Sequence, residues 1–323
     1  MNKSIILQIF SGSKSNQIQS QDYINIPKFG SNDSQTLLKE MSKNQDKNEE
    51  SGKVQFSVQY SVFENEIEKD STENLGQGNK LAYPNPIKQI RIPFDKVQFI
   101  LQPIINEGIL QCQIRKIRFS NQNSKYEMSI FDYPMLTAEQ VDAKQKKKII
   151  FKSSGINYFA GKLKWDKYGQ NFIFLDNKIN PKKCSTISMH RLCIGGANYQ
   201  KNGLKKPHKI RVYLPEITQS NQMFEYRQQK FQYFESKPKN FQEFQNREAE
   251  YCPEAKMFVL PFYNRALIAS SKNLQLCQKD NNKVFFLLGK IDKGLYNLDF
   301  QWPISPLQAF QIAMSCFVSR ATD

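Results

Sequence analysis

One stretch constrains the fold more than any other: SPLQAFQIAMSCFV, Ser305–Val318. Wound at 3.6 residues per turn, Leu307, Ala309, Phe310, Ile312, Ala313, Met314, Cys316, Phe317 and Val318 leave it without a polar face. A helix apolar all round must be buried on every side. At 1.5 Å per residue it is about 20 Å long, too short to cross a bilayer. Pro306 suits the first helical turn and Ser305 the N-cap. Each of its large apolar side chains contributes roughly 1.5–3 kcal/mol on burial. The segment therefore reads as a core plug, with the preceding chain wrapped around it.

The preceding chain has the pattern of a wrapper. From about Ile92 come short β-rich runs: FDKVQFILQPI, GILQCQIRKIRF, KYEMSIFDY, KKIIFK, YFAGKLKW, QNFIFLD, HKIRVYLPEI, KMFVLPFY, RALIASSKNLQL and KVFFLLGKI. Turn residues separate most of them, as in NEG, NQNS, YGQN and DKG. Many evenly spaced short strands argue for a sandwich or a barrel. A barrel closed around the terminal helix accounts for both observations, because closure removes strand edges and the helix fills the lumen. Residues 1–84 differ, being rich in Asn, Gln, Ser and Lys, and most of them are expected to be disordered. Two islands stand out there. Leu37, Leu38 and Met41 suit one turn of amphipathic helix, and the tract Val54–Val62 alternates apolar and polar as a half-buried strand does. LGQGNKLAYPNPI reads as a linker, giving a low-complexity region at 1–91 and a barrel domain at 92–323.

Charge follows the same division. Residues 1–92 carry 11 Lys or Arg against 11 Asp or Glu, so the whole net charge of +16 belongs to the remainder. The folded part is the cation, and its partner is an anionic surface, a membrane or a nucleic acid. The six cysteines form no CxxC pair and there are only two histidines, so no zinc ligand set is present and the thiols are expected free in a reducing compartment. No signal peptide or membrane-spanning run is recognised, so contact with a membrane is expected from its face. GxSxG, a Cys-His arrangement, a carboxylate pair in a motif and a phosphate-cradling Gly-rich loop are all missing. The chain is expected to be no enzyme and to need no cofactor.

Phe262–Gln275, FYNRALIASSKNLQ, is similar to a signature strand of the tubby-like family, FxGRVxxASVKNFQ. Phe262, Arg265, Ala269, Ser270, Lys272, Asn273 and Gln275 match, whereas Asn264 stands for Gly, Ser271 for Val and Leu274 for Phe. The terminal LQAFQIAMSCFVSRATD resembles LQAFAIxLSSFDxKLACE of that family. Phe99–Pro103 resembles FVLRP, Gln111–Arg115 the strand after it, Gly161–Lys164 GKLR, Asp176–Pro181 DNGxNP, and Gln245–Arg247 QNK. The resemblance covers about Ile92 to Asp323, with the motifs in the family order. It implies a closed antiparallel β-barrel of about twelve strands enclosing the C-terminal hydrophobic helix.

Lys162 and Lys164 lie two apart in a strand run, so alternation puts both ammonium groups on one face, roughly 6–7 Å apart along it. Such a pair can grip vicinal phosphates on an inositol ring. The resemblance assigns the matching family Lys and Arg to phosphatidylinositol 4,5-bisphosphate; Lys164 in place of Arg keeps the charge and loses the bidentate fork. A further family Arg lies in GPRKM, where this chain has His208 with Lys206, Lys209 and Arg211 around it, and Lys209 is the substitute cation. The family's SNY segment is shortened to IIFKSSGINY, which leaves its phosphate-contacting Asn without a counterpart. Lys144, Lys146, Lys147 and Lys148 add diffuse attraction to an anionic leaflet. Arg265 and Lys272 are expected to be structural, and Phe300 and Trp302 to pack at the barrel mouth.

The expected function is a phosphoinositide-binding membrane adaptor, a monomer on the cytoplasmic face of the plasma or ciliary membrane. The resemblance implies delivery of membrane cargo to cilia with the intraflagellar transport machinery, and SQTLLKEMSK is the one candidate in the N-terminal region for that contact. Two alternatives are a nucleic-acid-binding transcription regulator, for which no known motif is visible, and a purely structural barrel in a larger assembly.

Overall fold

The computed structural model describes residues 57–61, 83–93, 96–105, 107–119, 124–141, 148–155, 158–200, 209–227, 239–252, 257–278 and 281–319. Leu37, Leu38, Met41, Lys144, Lys146, Lys147, Lys206 and His208 lie outside them. The chain divides into two units, one holding residues 88–94 with part of the N-terminal region, the other holding the barrel. In the first, β1 (Ser57–Ser61) pairs antiparallel with β2 (Gln89–Pro93), from Ser57 opposite Pro93 to Ser61 opposite Gln89. The alternating tract around Val58 is thus a strand, and its partner is QIRIP.

In the second unit the first element is a helix. FDKVQFILQPI, expected as β, forms α1 (Lys96–Leu101), with Ile100 buried. Val97, Ile100 and Leu101 have helical i, i+3, i+4 spacing, and Pro103 stops the run; a short apolar segment is ambiguous by periodicity alone. Among the described residues twelve strands then close into an antiparallel barrel. They are β3 (Leu110–Arg118), β4 (Ser124–Ile130), β5 (Tyr133–Gln140), β6 (Lys148–Ser153), β7 (Phe159–Trp165), β8 (Asn171–Leu175), β9 (Cys193–Gln200), β10 (Lys209–Pro215), β11 (Phe241–Asn246), β14 (Leu274–Gln278), β15 (Asn281–Asp292) and β16 (Leu295–Phe300). Closure runs from β16 back to β3 and leaves the ring without an edge. KMFVLPFY does not join it: β13 (Met257–Val259) pairs only with β12 (Glu250–Cys252) in a separate ribbon.

The terminal helix α2 (Pro306–Val318) occupies the interior, with every residue from Pro306 to Cys316 buried. Ser305 and Gln308 form a reciprocal capping box, N–H of Gln308 to Oγ of Ser305 at 3.2 Å and N–H of Ser305 to Oε1 of Gln308 at 2.8 Å. The helix is buried all round but not apolar all round, which corrects the expectation. Gln308, Gln311 and Ser315 recur at i, i+3 and i+7 and make one polar stripe. The stripe faces β7, β8 and β9: Gln308 Nε2 donates to the Ile194 carbonyl (2.8 Å), Gln311 Nε2 to that of Leu175 (3.0 Å), and Tyr199 Oη meets Ser315 Oγ at 2.8 Å. On another side Phe310 packs edge-on against Phe151, 5.4 Å between ring centres. At the far end Phe317 lies against Tyr126 and Tyr296.

The tract expected to be a linker also touches the barrel. Ile87 N–H donates to the Ile109 carbonyl and Ile109 N–H to that of Asn85, each at 2.9 Å. Tyr83 stacks on Tyr263 and donates its hydroxyl to Asp299, which is fully buried. Asp299 also accepts two hydrogen bonds from Arg265, both 2.6 Å, so Arg265 is a structural partner. The signature segment is a strand only from Leu274; Tyr263 and Asn264 have φ of 49° and 59°, and the chain from Phe262 to Asn273 turns across β15. Asn264, standing where the resemblance has Gly, is a residue that tolerates this left-handed conformation.

Candidate phosphate-binding site

Lys162 and Lys164 stand on β7, and strand alternation sends both outward. Gly161, between Ala160 and Lys162, faces the helix instead: a Cβ there would lie 2.6 Å from the Leu175 carbonyl and 3.0 Å from Leu307. The adjacent strand β6 adds a third ammonium, because Lys148 is directly opposite Lys164 in the antiparallel register. On the other side Lys162 is level with Leu175 and Lys164 with Ile173. Ile173 and Leu175 are buried although they point outward. They belong to an apolar cluster with Cys193, Tyr213 and Phe241, on which Tyr226 packs. The lysine stems thus rise beside a dry wall.

The fourth and fifth cations come from the excursion between β8 and β9. Its base is tied by Asp176, whose carboxylate accepts N–H groups of Lys178 (3.1 Å) and Leu192 (2.9 Å). Arg191, only 8% exposed, donates Nε–H to the Lys178 carbonyl at 3.0 Å and lies over the Phe159 ring, 5.7 Å from its centre. This contact lays the guanidinium over the start of β7. Lys183 follows on a 3-10 turn, Pro181–Lys183, capped by Asn180.

The charges feel one another. Burial first, then the positive charges of Arg191, Lys164, Lys148 and Lys183, push the Lys162 ammonium down to about 8. Burial, Arg191 and Lys148 lower Lys164 in the same way. Among the described residues, Lys148, Lys162, Lys164 and Lys183 make no ion pair with a carboxylate. Half-buried, mutually repelling cations are an arrangement that an anion with several charges relieves.

Of the residues expected at the site, Lys148, Lys162 and Lys164 come together. Lys209 does not join them: it opens β10 opposite Gln200, whereas Lys164 is level, across β8 and β9, with Tyr213. Four residues of strand separate Lys209 from that level, about 13 Å. Arg191 and Lys183 were not anticipated. The signal available was a basic residue at either end of one loop, Lys182–Lys183 after Asn180–Pro181 and Arg191 before β9.

The motifs that run through this domain are shared with known proteins. A family profile described as Tub family matches residues 100–319. The chain is 28% identical over 171 residues to Tubby-related protein 2 of Mus musculus, covering 49% of this chain and 30% of that protein. It is 23% identical over 256 residues to Tubby protein homolog 1 of Caenorhabditis elegans, covering 68% of this chain and 59% of that protein. Tubby-related protein 1 of Homo sapiens is 25% identical over 176 residues, covering 51% of this chain and 32% of that protein. The chain thus spans less than two thirds of the length of the curated relatives it matches. With the profile covering the barrel from α1 to the end of α2, the chain belongs to the Tub family.

Proposed function

We propose that this chain is a phosphoinositide-reading adaptor whose barrel docks on the cytoplasmic leaflet of a membrane. The observation that carries the reading is the group of four lysines, Lys148, Lys162, Lys164 and Lys183, held around Arg191 without carboxylate partners. A headgroup with two ring phosphates supplies the missing negative charge, and two ammonium groups at strand spacing match neighbouring phosphates. Among the described residues no helix is long and apolar enough to cross a membrane, in keeping with docking from the face. Delivery of cargo to cilia, with a partner taken up by the N-terminal region, rests on the family resemblance alone, and SQTLLKEMSK lies outside the described residues.

The test is vesicle flotation across a panel of phosphoinositide isomers, with the wild-type chain and Lys162→Ala/Lys164→Ala. The double variant is expected to lose binding to bisphosphate vesicles while its melting transition stays at or above that of the wild type. Unchanged flotation of the double variant would refute the site.

A further inference from the structure

The excursion between β8 and β9 carries features that gripping a headgroup does not require. From Asn177 to Leu192 it contains Lys178, Lys182, Lys183 and Arg191 and not one carboxylate. At its tip, on the 3-10 turn Ile187–Met189, Ile187 is 66% exposed and Met189 49%; Ile179 at its base is 38% exposed. Isolated exposed aliphatics are ordinary on protein surfaces, but two on the tip of one acid-free basic loop are not scattered.

The tip is also braced. Ile179 N–H donates to the Met189 carbonyl (3.0 Å) and Arg191 N–H to that of Ile179 (2.7 Å), closing the loop on itself. His190 Nε2 lies 2.7 Å from the Cys184 carbonyl, and Arg227 Nη1 donates to the Ile187 carbonyl at 2.7 Å. Ile187 and Met189 are thus presented to solvent by a fixed backbone, and seating them elsewhere requires little further ordering. The side of the loop is equally fixed. Arg191 lies over Phe159, so the excursion rises from the strand that bears Lys162 and Lys164.

We infer that this loop is the membrane-entering element of the domain, with Ile187 and Met189 passing into the headgroup–acyl boundary while Lys182, Lys183 and the Lys162–Lys164 pair meet lipid phosphates. The occupant of the apolar tip is an anionic lipid bilayer. Charge complementarity selects it, because a surface of phosphates matches four basic residues without a carboxylate around two aliphatics. The arrangement divides the work: the cations select the headgroup, and the aliphatic tip holds the domain only when that headgroup belongs to a membrane.

The inference rests on the membrane-docking reading above, and the experiment separates the two. Using the full chain, affinity for soluble inositol bisphosphate is measured by calorimetry and affinity for phosphatidylcholine vesicles containing phosphatidylinositol 4,5-bisphosphate by flotation. Ile187→Asp/Met189→Asp is expected to leave the soluble affinity and the melting transition unchanged and to weaken vesicle binding by roughly tenfold or more. Ile187→Trp, which keeps the tip apolar, is expected to bind vesicles at least as well as the wild type and to gain fluorescence quenching by brominated acyl chains. Equal vesicle binding by the double Asp variant, the result if the tip serves a protein partner, overturns the inference and leaves the headgroup reading standing. So does an emission from the Ile187→Trp variant that brominated chains leave as bright as that of the wild type. A wild-type chain that binds neither the soluble headgroup nor the vesicles overturns both.

Discussion

Gln311, on the polar stripe of the buried helix, directs its amide Nε2–H at the main-chain carbonyls of Leu175, 3.0 Å away, and Lys162, 3.3 Å away. The side chain of that same lysine stands on the outer surface. The plug therefore holds from inside the strand segment that positions the candidate phosphate ligands. It does so where β8 shifts register between Phe174 and Leu175 and ordinary ladder bonding is interrupted.

Gln311→Leu keeps the volume and removes the donor, leaving carbonyls inside the shell without their partner. Unfolding stability is expected to fall by about 1–3 kcal/mol. A urea midpoint equal to the wild type would show that the amide contributes nothing to anchoring β7.

Gly161→Ala tests the closeness of strand and helix. Its new methyl group meets the Leu175 carbonyl and Leu307 at 2.6 and 3.0 Å, so one of the two must shift. A loss of about 1–3 kcal/mol is expected from overpacking. A calorimetric melt at the wild-type temperature would contradict the packing described.

Arg265→Ala strands the Asp299 carboxylate in a fully buried position. Such a change costs about 3–5 kcal/mol, whereas Tyr83→Phe, which removes one hydrogen bond to the same carboxylate, costs about 1 kcal/mol. Chemical denaturation of both variants checks the order. A larger effect from Tyr83→Phe would reverse the roles assigned to the two donors.

Headgroup affinity has a definite pH dependence. Lys162 loses its proton near pH 8 in the free protein, and a bound anion raises that value by favouring the charged form. Above about 8 the complex then holds more protons than the free chain, so affinity falls as pH rises, by up to about tenfold per unit. Lys162→Arg keeps its charge throughout and should flatten the profile. Isothermal titration from neutral to alkaline pH decides it, and parallel profiles for the two chains would exclude Lys162 as the titrating ligand.

Much of this is readable from the residues, for reasons that differ by element. Lys162 and Lys164 are neighbours along one strand face, and strand alternation alone puts them together. The barrel is legible through the run of short strands, and the plug through Phe310, Ile312 and Met314. The stripe of Gln308, Gln311 and Ser315 is equally visible in its spacing, but its significance depends on strand carbonyls that no local pattern marks. Arg191 joins the site through a loop closure at Asp176 and a ring contact with Phe159, both made by residues distant in the chain. α1 departs from the expected strand because a six-residue apolar run satisfies either period. The segment from Phe262 departs from it because its turn is made by Tyr263 and Asn264 rather than by Gly or Pro.

The filling of the lumen has a consequence for biosynthesis. All twelve staves precede in sequence the rod they enclose, and contacts such as Tyr199 with Ser315 join residues 116 positions apart. As a ribosome extrudes the chain, the lining side chains emerge with nothing to cover them until the final helix clears the exit tunnel. Nascent chains of this kind present sticky concave sheet to the cytosol for most of their translation, and holdase chaperones are the natural guardians of that interval.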